Sequence, residues 1–170
     1  MNDDVLFLEK QKFNQWWLWL ILIGSNGFLL FEIVNLIIGN KQIGSEKSSI
    51  AILLFALVYT SLLTLAFVYF SLDTIIKQDG VYVRFFPLQI KYKHYTWVSI
   101  KRAYIRKYSP ILEYGGWGIR YSIFGKGKAY NISGNYGLQL ELMDTKKILI
   151  GTNKPEELTK VLHDTGRNNN

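Results

Sequence analysis

The distribution of apolar residues divides the chain into two parts. Two long apolar segments come first, WWLWLILIGSNGFLLFEIVNLII at residues 16–38 and IAILLFALVYTSLLTLAFVYFSL at residues 50–72. Each is 23 residues long, and the second contains no charged residue. A helix of this length spans a hydrocarbon core of about 30 Å. Both segments are therefore predicted to be transmembrane helices, in preference to buried helices of a soluble protein or a cleaved signal peptide.

The second part of the chain has a period of two, which is typical of β-strands. About seven antiparallel strands are predicted after residue 73, and Leu138, Leu140 and Leu142 alternate with polar residues as in a half-buried strand. Asp79-Gly80 predicts a hairpin turn, and Asp144-Thr145 predicts another. LQIKYKHY and WVSIKRAYIRKY are two further strand candidates in this region.

An amphipathic helix is predicted at the C-terminus, with Asn153 as its N-cap and Pro155 in its first turn. The fold class is thus a membrane helical hairpin followed by a mainly-β domain closed by this helix. The predicted organisation is a cytoplasmic segment (residues 1–15), two transmembrane spans (residues 16–38 and 50–72), a cytoplasmic β domain (residues 73–164) and a disordered tail (residues 165–170).

Charge sets the predicted orientation. From residue 77 onward there are 16 Lys and Arg against 7 Asp and Glu, a net charge of +9. The first 76 residues carry 4 basic and 6 acidic residues, a net −2, and the two parts sum to the +7 of the whole chain. The positive-inside rule then places both termini in the cytoplasm, with Gly39–Ser49 as a short outer turn. The predicted location is the plasma (inner) membrane, with the chain crossing it twice.

Five stretches in the second half carry a resemblance to a known group of proteins. They are TIIKQDGVYVRFFP, WVSIKRAYIRKYSP, EYGGWGIR, AYNISGNYGLQLEL and KKILIGTNKPEEL, in this order and at close spacing. Together they resemble bacterial membrane proteins that carry a pleckstrin-homology-like (PH-like) domain after two transmembrane helices. The resemblance covers roughly residues 50–163 and implies a PH-like fold for the cytoplasmic part. It implies little about mechanism.

The first candidate site is the EYGGWGIRYS stretch. Gly115 and Gly116 permit positive φ and a sharp bend, whereas Trp117 and Arg120 are candidates for contact with a ligand or partner. Two interpretations stay open. Either Trp117 packs inside and Arg120 pairs with Glu113, which makes the motif architectural, or both side chains face a groove or the bilayer.

Basic residues supply a second candidate. Lys101, Arg102, Lys126 and Lys128 belong to a basic cluster close to the membrane anchor, where anionic lipid would attract them. Positive-inside topology alone accounts for such a cluster equally well. The GKGK sequence at residues 125–128 lacks the full spacing of a phosphate-binding loop and is interpreted as a hairpin turn. Nucleic acid is not expected as a partner, since the interleaved tyrosines suit cross-strand pairing.

Glu32 and Asn35 form the third candidate, because polar groups inside a span are often functional. Glu32 lies six residues from the end of its span, about 9 Å by helical rise. It can therefore reach the headgroups, hydrogen-bond Thr60 or Ser61, or take part in a contact between protomers. A small oligomeric transport or channel subunit using Glu32 and Asn35 is the alternative function.

Catalysis has little support in the sequence. There is no cysteine, and the two histidines lack acidic neighbours at metal-ligand spacing. No catalytic residue, metal or cofactor is predicted. The leading functional hypothesis is a non-catalytic interaction module at the membrane surface. Its expected partners are membrane lipids, a second copy of the chain or another membrane protein.

Overall fold

The computed structural model of the chain describes residues 5–38, 46–122 and 125–167, and for residues 46–49 the backbone only. It contains two long helices, α1 (Trp16–Ile38) and α2 (Glu46–Tyr69). The remaining helices are α3 (Pro110–Tyr114) and α4 (Pro155–Asp164). The strands are β1 (Val5–Lys12), β2 (Ser71–Lys77), β3 (Gly80–Phe86), β4 (Lys93–Thr96), β5 (Ile100–Lys107), β6 (Gly118–Tyr121), β7 (Lys128–Asn131), β8 (Tyr136–Leu142) and β9 (Lys147–Thr152).

The two long helices confirm the predicted apolar segments. Trp16–Ile38 and Ile50–Tyr69 are both long and apolar enough to cross a membrane. The first has the predicted bounds, whereas the second ends three residues early. Ser71 and Leu72, which were assigned to the span, are buried residues of β2. The predicted outer turn, Gly39–Ser49, lies outside the described residues up to residue 45.

The strands form two sheets, and their number corrects the prediction of about seven. The first sheet has the order β1-β2-β3-β4, all antiparallel, and the second has the order β5-β8-β9-β7-β6. In the second sheet β7 and β9 are parallel, which corrects the prediction that all strands are antiparallel, and the other neighbours are antiparallel. The two strands missed by the sequence analysis are β1 and β6, both at the edge of a sheet.

β1 joins the N-terminal segment to the β unit. The chain divides into two compact units, one formed by the residues through Phe13 together with those from Phe70 onward, the other by Asn14–Tyr69. The first segment, predicted to stand alone over residues 1–15, thus contributes a strand that pairs with β2. Phe7, Glu9 and Gln11 are buried on this strand. Because two of these three inward residues are polar, the hydrophobic pattern did not reveal the strand.

Side-chain hydrogen bonds hold β1 against the second sheet. Thr152 Oγ1 donates to Glu9 Oε2 at 2.6 Å, and the Asn153 amide donates to Glu9 Oε1 at 2.8 Å. Gln11 Nε2 donates to the Gly151 carbonyl at 2.7 Å. Buried polar groups need such partners, so Glu9 and Gln11 connect the start of the chain to its last strand.

Three local predictions are corrected near the strand ends. In LQIKYKHY only the last residues enter β4, and residues 87–92 form a loop. Trp97–Ser99 forms a short 3₁₀ turn before β5. The N-cap of α4 is Lys154 rather than Asn153, whose side chain instead bonds Ser133. The predicted disordered tail lies outside the described residues from residue 168.

The core of the β unit comes from both sheets and α4. Leu72, Ile76 and Val81 of the first sheet are fully buried, as are Leu138, Leu140 and Ile150 of the second. Leu158 and Leu162 form the buried stripe of α4, which contacts β5 and β1. The expected alternation in β8 is confirmed for Leu138 and Leu140, which are buried, whereas Leu142 is half-buried. Gln139 is also buried, because a further layer covers the outer face of the second sheet.

Candidate functional site: a basic recess beside the β6–β7 hairpin

The glycine-rich segment forms the end of a helix followed by an edge strand. Ser109 caps α3, since its hydroxyl accepts from the Leu112 amide at 3.4 Å. Gly115 adopts φ 71° and Gly116 φ 122°, so the predicted bend is confirmed. Their amides close the helix by donating to the carbonyls of Ile111 and Pro110, both at 2.9 Å. Residues that carry a Cβ atom rarely adopt these backbone angles, which explains why two consecutive glycines occur here.

Glu113 belongs to a network on the outer face of the second sheet. Arg106 Nη1 donates to Glu113 Oε2 at 2.8 Å, and Lys126 Nζ lies 3.1 Å from the same oxygen. Arg106 also donates to Gln139 at 2.9 Å and to the Tyr114 hydroxyl at 3.1 Å. The network ties α3 to β5, β8 and the β6–β7 hairpin. Lys126 is therefore held in an ion pair instead of standing ready for a ligand.

The titration of Glu113 reflects these contacts. Burial acts to raise the pKa of Glu113, but the Ser109 amide, Arg106 and Lys126 together outweigh it. The pKa of the carboxyl group is consequently below its ordinary value, and the charged form is favoured.

Trp117 and Arg120 do not match either of the two interpretations fully. The predicted pair between Arg120 and Glu113 is wrong, because Arg120 Nε donates to the Trp117 carbonyl at 2.9 Å. Arg120 is exposed and Trp117 is half-buried. Gly118, with φ 113°, allows the chain to turn into β6 between them. The motif therefore shapes the entry to the edge strand, and its arginine folds back on its own backbone.

Lys101 and Arg102 lie on β5, exposed, at the opposite edge of the second sheet from β6. Sheet order thus separates them from Trp117 and Arg120. Of the six predicted site residues, Lys128 alone lines the recess described next.

A basic recess of about 610 Å³ opens between β4, the β6–β7 hairpin and the β8–β9 turn. Four lysines and two tyrosines provide its character: Lys93, Lys128, Lys146, Lys147, Tyr95 and Tyr121. Asp144 also lines it and pairs with Lys146, the Nζ to Oδ2 distance being 2.6 Å. Within the described part of the chain, no carboxyl group forms an ion pair with the other three lysines. The recess therefore carries an uncompensated positive charge.

Lys128 is the central cation of this recess. Its Nζ lies 4.6 Å from the ring centre of Tyr130 and 5.2 Å from that of Tyr121. Burial acts to lower the pKa of Lys128, but interactions with the Tyr130 and Tyr121 hydroxyls outweigh it, so the pKa is raised. Lys128 remains charged, half-buried and held between two aromatic rings.

Tyrosine hydroxyls surround this lysine. Burial and the neighbouring Tyr130 raise the pKa of Tyr95, which keeps that hydroxyl protonated as a donor. For Tyr130, burial acts in the same direction, but Lys128 and Gln89 offset it and the pKa is lowered. A fixed ammonium group beside phenol donors is an arrangement suited to binding an anion such as a phosphate.

Gly127 makes the close approach of two loops possible at this site. A Cβ there would lie 2.0 Å from the Lys147 carbonyl oxygen, and its φ is 82°. At Gly125, φ is 72° and the space is open. The GKGK sequence thus serves a hairpin, as predicted, and also places Lys128 beside Lys147. No local pattern in the sequence indicates that β7 pairs with β9, because parallel strands are not joined by a tight turn.

The polar contact between the two long helices uses a different residue from those predicted. The Asn26 amide oxygen accepts from Thr60 at 3.0 Å and from Ser61 at 2.8 Å, and Asn26 Nδ2 donates to Thr64 Oγ1 at 3.1 Å. Of the alternatives for Glu32, the hydrogen bond to Thr60 or Ser61 is therefore not the one found, because both hydroxyls donate to Asn26. Such hydrogen bonds are typical of helix association in membranes.

Glu32 and Asn35 lie on other faces of α1. At about 100° per residue, Asn35 falls on the side opposite Asn26, and Glu32 about 120° away from Asn26. Asn35 is exposed and Glu32 half-buried. The helix pair thus does not bring the two predicted intramembrane residues to its shared face.

Comparison with known proteins gives no relative: no family model, curated protein or solved structure matches the chain.

Proposed function

We propose that the chain is a membrane-anchored, non-catalytic interaction module that binds anionic lipid headgroups at the cytoplasmic face of the plasma membrane. The recess around Lys128 carries this proposal. It combines three lysines that form no ion pair among the described residues with tyrosine hydroxyls, in a volume of about 610 Å³. A phosphate group would supply the negative charge that these lysines lack and would accept hydrogen bonds from the lysine ammonium groups and tyrosine hydroxyls.

Sheet pairing supports the membrane topology. β1 precedes α1 and β2 follows α2, and the two strands pair from Lys12↔Ser71 to Val5↔Lys77. This pairing supports a topology in which both ends of the helical hairpin emerge on the same side of the membrane, as expected for two spans. The net charge of +9 from residue 77 onward favours the cytoplasmic side for the β unit.

The order of the elements supports a PH-like fold and membership in the bacterial group that the sequence resembles. A four-stranded antiparallel sheet is followed by the antiparallel trio β5-β8-β9 and then by a C-terminal helix. Two features differ from that layout: the helical hairpin lies between β1 and β2, and an insertion separates β5 from β8. This insertion contains α3, β6 and β7, includes the GGWGIR residues and supplies one wall of the recess.

Location explains how a weak site would be useful. Because the β unit is joined to two membrane helices, it meets headgroups at a high effective concentration. Each basic residue near an anionic membrane contributes about 1 kcal/mol. A few lysines are therefore sufficient for a preference between lipids.

The direct test is a titration of the full chain in detergent with soluble short-chain phosphatidic acid, using short-chain phosphatidylcholine and inorganic phosphate as separate arms. Binding is read from lipid adducts in native mass spectrometry. Replacing Lys128 or Lys147 by Gln should weaken phosphatidic acid binding roughly fivefold each, at about 1 kcal/mol per lysine. Lys160→Gln, on the exposed face of α4, is the matched control and should leave binding unchanged.

Equal binding of phosphatidic acid by the wild-type and Lys128→Gln proteins would exclude the recess as a lipid site. Equal effects of inorganic phosphate and lipid would assign it to free phosphate. If neither binds but a protein or a second copy co-purifies in a Lys128-dependent manner, the recess serves a protein partner instead.

A further inference from the structure

The loop between β3 and β4 exposes apolar side chains that the recess does not use. Leu88 has 65% of its surface exposed and Ile90 has 75%. Lys91 follows directly and is also exposed. Exposed apolar side chains beside lysines are the combination found where proteins enter the interface of an anionic membrane.

Strand register places this loop at a specific end of the first sheet. Lys12 pairs with Ser71, and Ser71 pairs with Phe86, the last residue before the loop. Helix α1 begins at Trp16, shortly after Lys12, and α2 ends at Tyr69, just before Ser71. The loop therefore leaves the sheet at the same end at which the chain continues into both long helices.

Aromatic packing within the β unit brings together a residue shortly before α1, the residue after α2 and the end of β3. The rings of Phe13 and Phe70 are 6.2 Å apart, and those of Phe70 and Phe85 are 5.9 Å apart. Phe13 and Phe70 are the residues at which the chain leaves and re-enters the β unit. Phe85 lies two residues before the start of the loop, so the loop starts close to the points at which the chain leaves and re-enters the β unit.

Several contacts hold the loop in one conformation. The Gln89 amide donates to the Phe85 carbonyl at 2.7 Å. At the other end, the Arg84 guanidinium lies 4.4 Å from the ring centre of Tyr92 and donates to buried Asp73 at 2.5 and 3.0 Å. Because its ends are fixed, the loop presents Leu88 and Ile90 in a set direction.

We propose that Leu88 and Ile90 insert into the lipid interface, with Lys91 contacting anionic headgroups. The loop thereby fixes the orientation of the β unit on the membrane surface. This proposal rests on the membrane anchoring of the proposed function and is independent of ligand binding in the recess.

The absence of cysteine from the chain allows single labels to be placed without other changes. An environment-sensitive fluorophore on Ile90→Cys, in the full chain reconstituted in anionic vesicles, should show blue-shifted emission and quenching by spin-labelled lipid. Val98→Cys is the matched control: Val98 is 87% exposed and lies beyond Thr96, which pairs with Gly80 at the opposite end of the sheet. The fluorophore at position 98 should show the emission of an aqueous environment and no quenching by spin-labelled lipid.

A label at Leu65→Cys, inside α2, separates failure of the loop from failure of the anchor. If Leu65 is quenched by lipid but Ile90 resembles Val98, the insertion proposal is wrong and the anchor stands. If the fluorophore at position 65 also shows an aqueous environment, both the insertion proposal and the membrane anchoring are wrong. The label itself is controlled by Leu88→Ser, which should reduce quenching at position 90 and leave position 65 unchanged.

Discussion

Glu9 provides the sharpest test of the fold, because it decides whether the first strand is an integral part of the β unit. Glu9 is 6% exposed, and its carboxyl group accepts hydrogen bonds from the Thr152 hydroxyl and the Asn153 amide, at 2.6 and 2.8 Å. Replacing Glu9 by Ala leaves both donors without this acceptor. An unsatisfied buried donor costs about 1–3 kcal/mol.

The two donors do not contribute equally. Thr152 is 2% exposed, so water cannot easily replace Glu9 there, whereas Asn153 is exposed and its amide can be hydrated. We therefore expect Glu9→Ala to lower the free energy of opening β1 by about 2–3 kcal/mol. This corresponds to a loss of roughly 30- to 150-fold in hydrogen-exchange protection of the β1 and β2 amides.

The assay is hydrogen exchange with mass spectrometry on the full chain in detergent. Lys10→Ala is the control, since Lys10 lies on the same strand and points outward; its effect should stay within about 0.5 kcal/mol. Glu9→Gln retains one carbonyl acceptor and should fall between the two. Unchanged protection of β1 and β2 in Glu9→Ala would refute the assignment of the strand to the β unit.

Three further predictions follow from other contacts. Asn26→Leu removes three interhelical hydrogen bonds of about 0.6 kcal/mol each, so it should destabilise the helix pair by about 2 kcal/mol in thermal unfolding. Asn35→Leu is the control and should have little effect; equal effects of the two substitutions would contradict the placement of Asn26 on the face of α1 that contacts α2. Gly125→Ala should lower the free energy of unfolding by about 1–2 kcal/mol because of its positive φ, whereas Gly127→Ala should lower it by roughly 3 kcal/mol or more, because backbone strain is combined with a steric clash. The denaturant midpoint of Gly127→Ala should therefore be the lower of the two, and equal midpoints would contradict this prediction. The lowered pKa of Glu113 stabilises the fold above the ordinary value of 4.5, and this contribution is lost as pH falls through the lower folded value; Glu113→Gln should reduce the loss of stability on acidification, and parallel pH curves for variant and wild type would reject this.

The segments determined by the sequence alone are those with strong local patterns. The long apolar segments predicted both helices, with the bounds of α1 matching and α2 ending before Ser71. Asp79-Gly80 and the alternating leucines of β8 located a hairpin and a core strand. In each case neighbouring residues carry the whole signal, either as continuous hydrophobicity, as a period of two or as a turn dipeptide.

The tertiary structure decided everything that depends on contacts between distant parts of the chain. Glu9 and Gln11 look like surface residues until the end of β9 supplies their partners. Asn26, and not Glu32, joins the helices, because facing positions depend on how the two helices are rotated about their axes. The recess likewise needs β4, the β6–β7 hairpin and the β8–β9 turn to meet, and the parallel β7–β9 pairing that helps bring them together leaves no periodic trace in the sequence. A local pattern records which face of an element is buried, whereas a site depends on which faces meet.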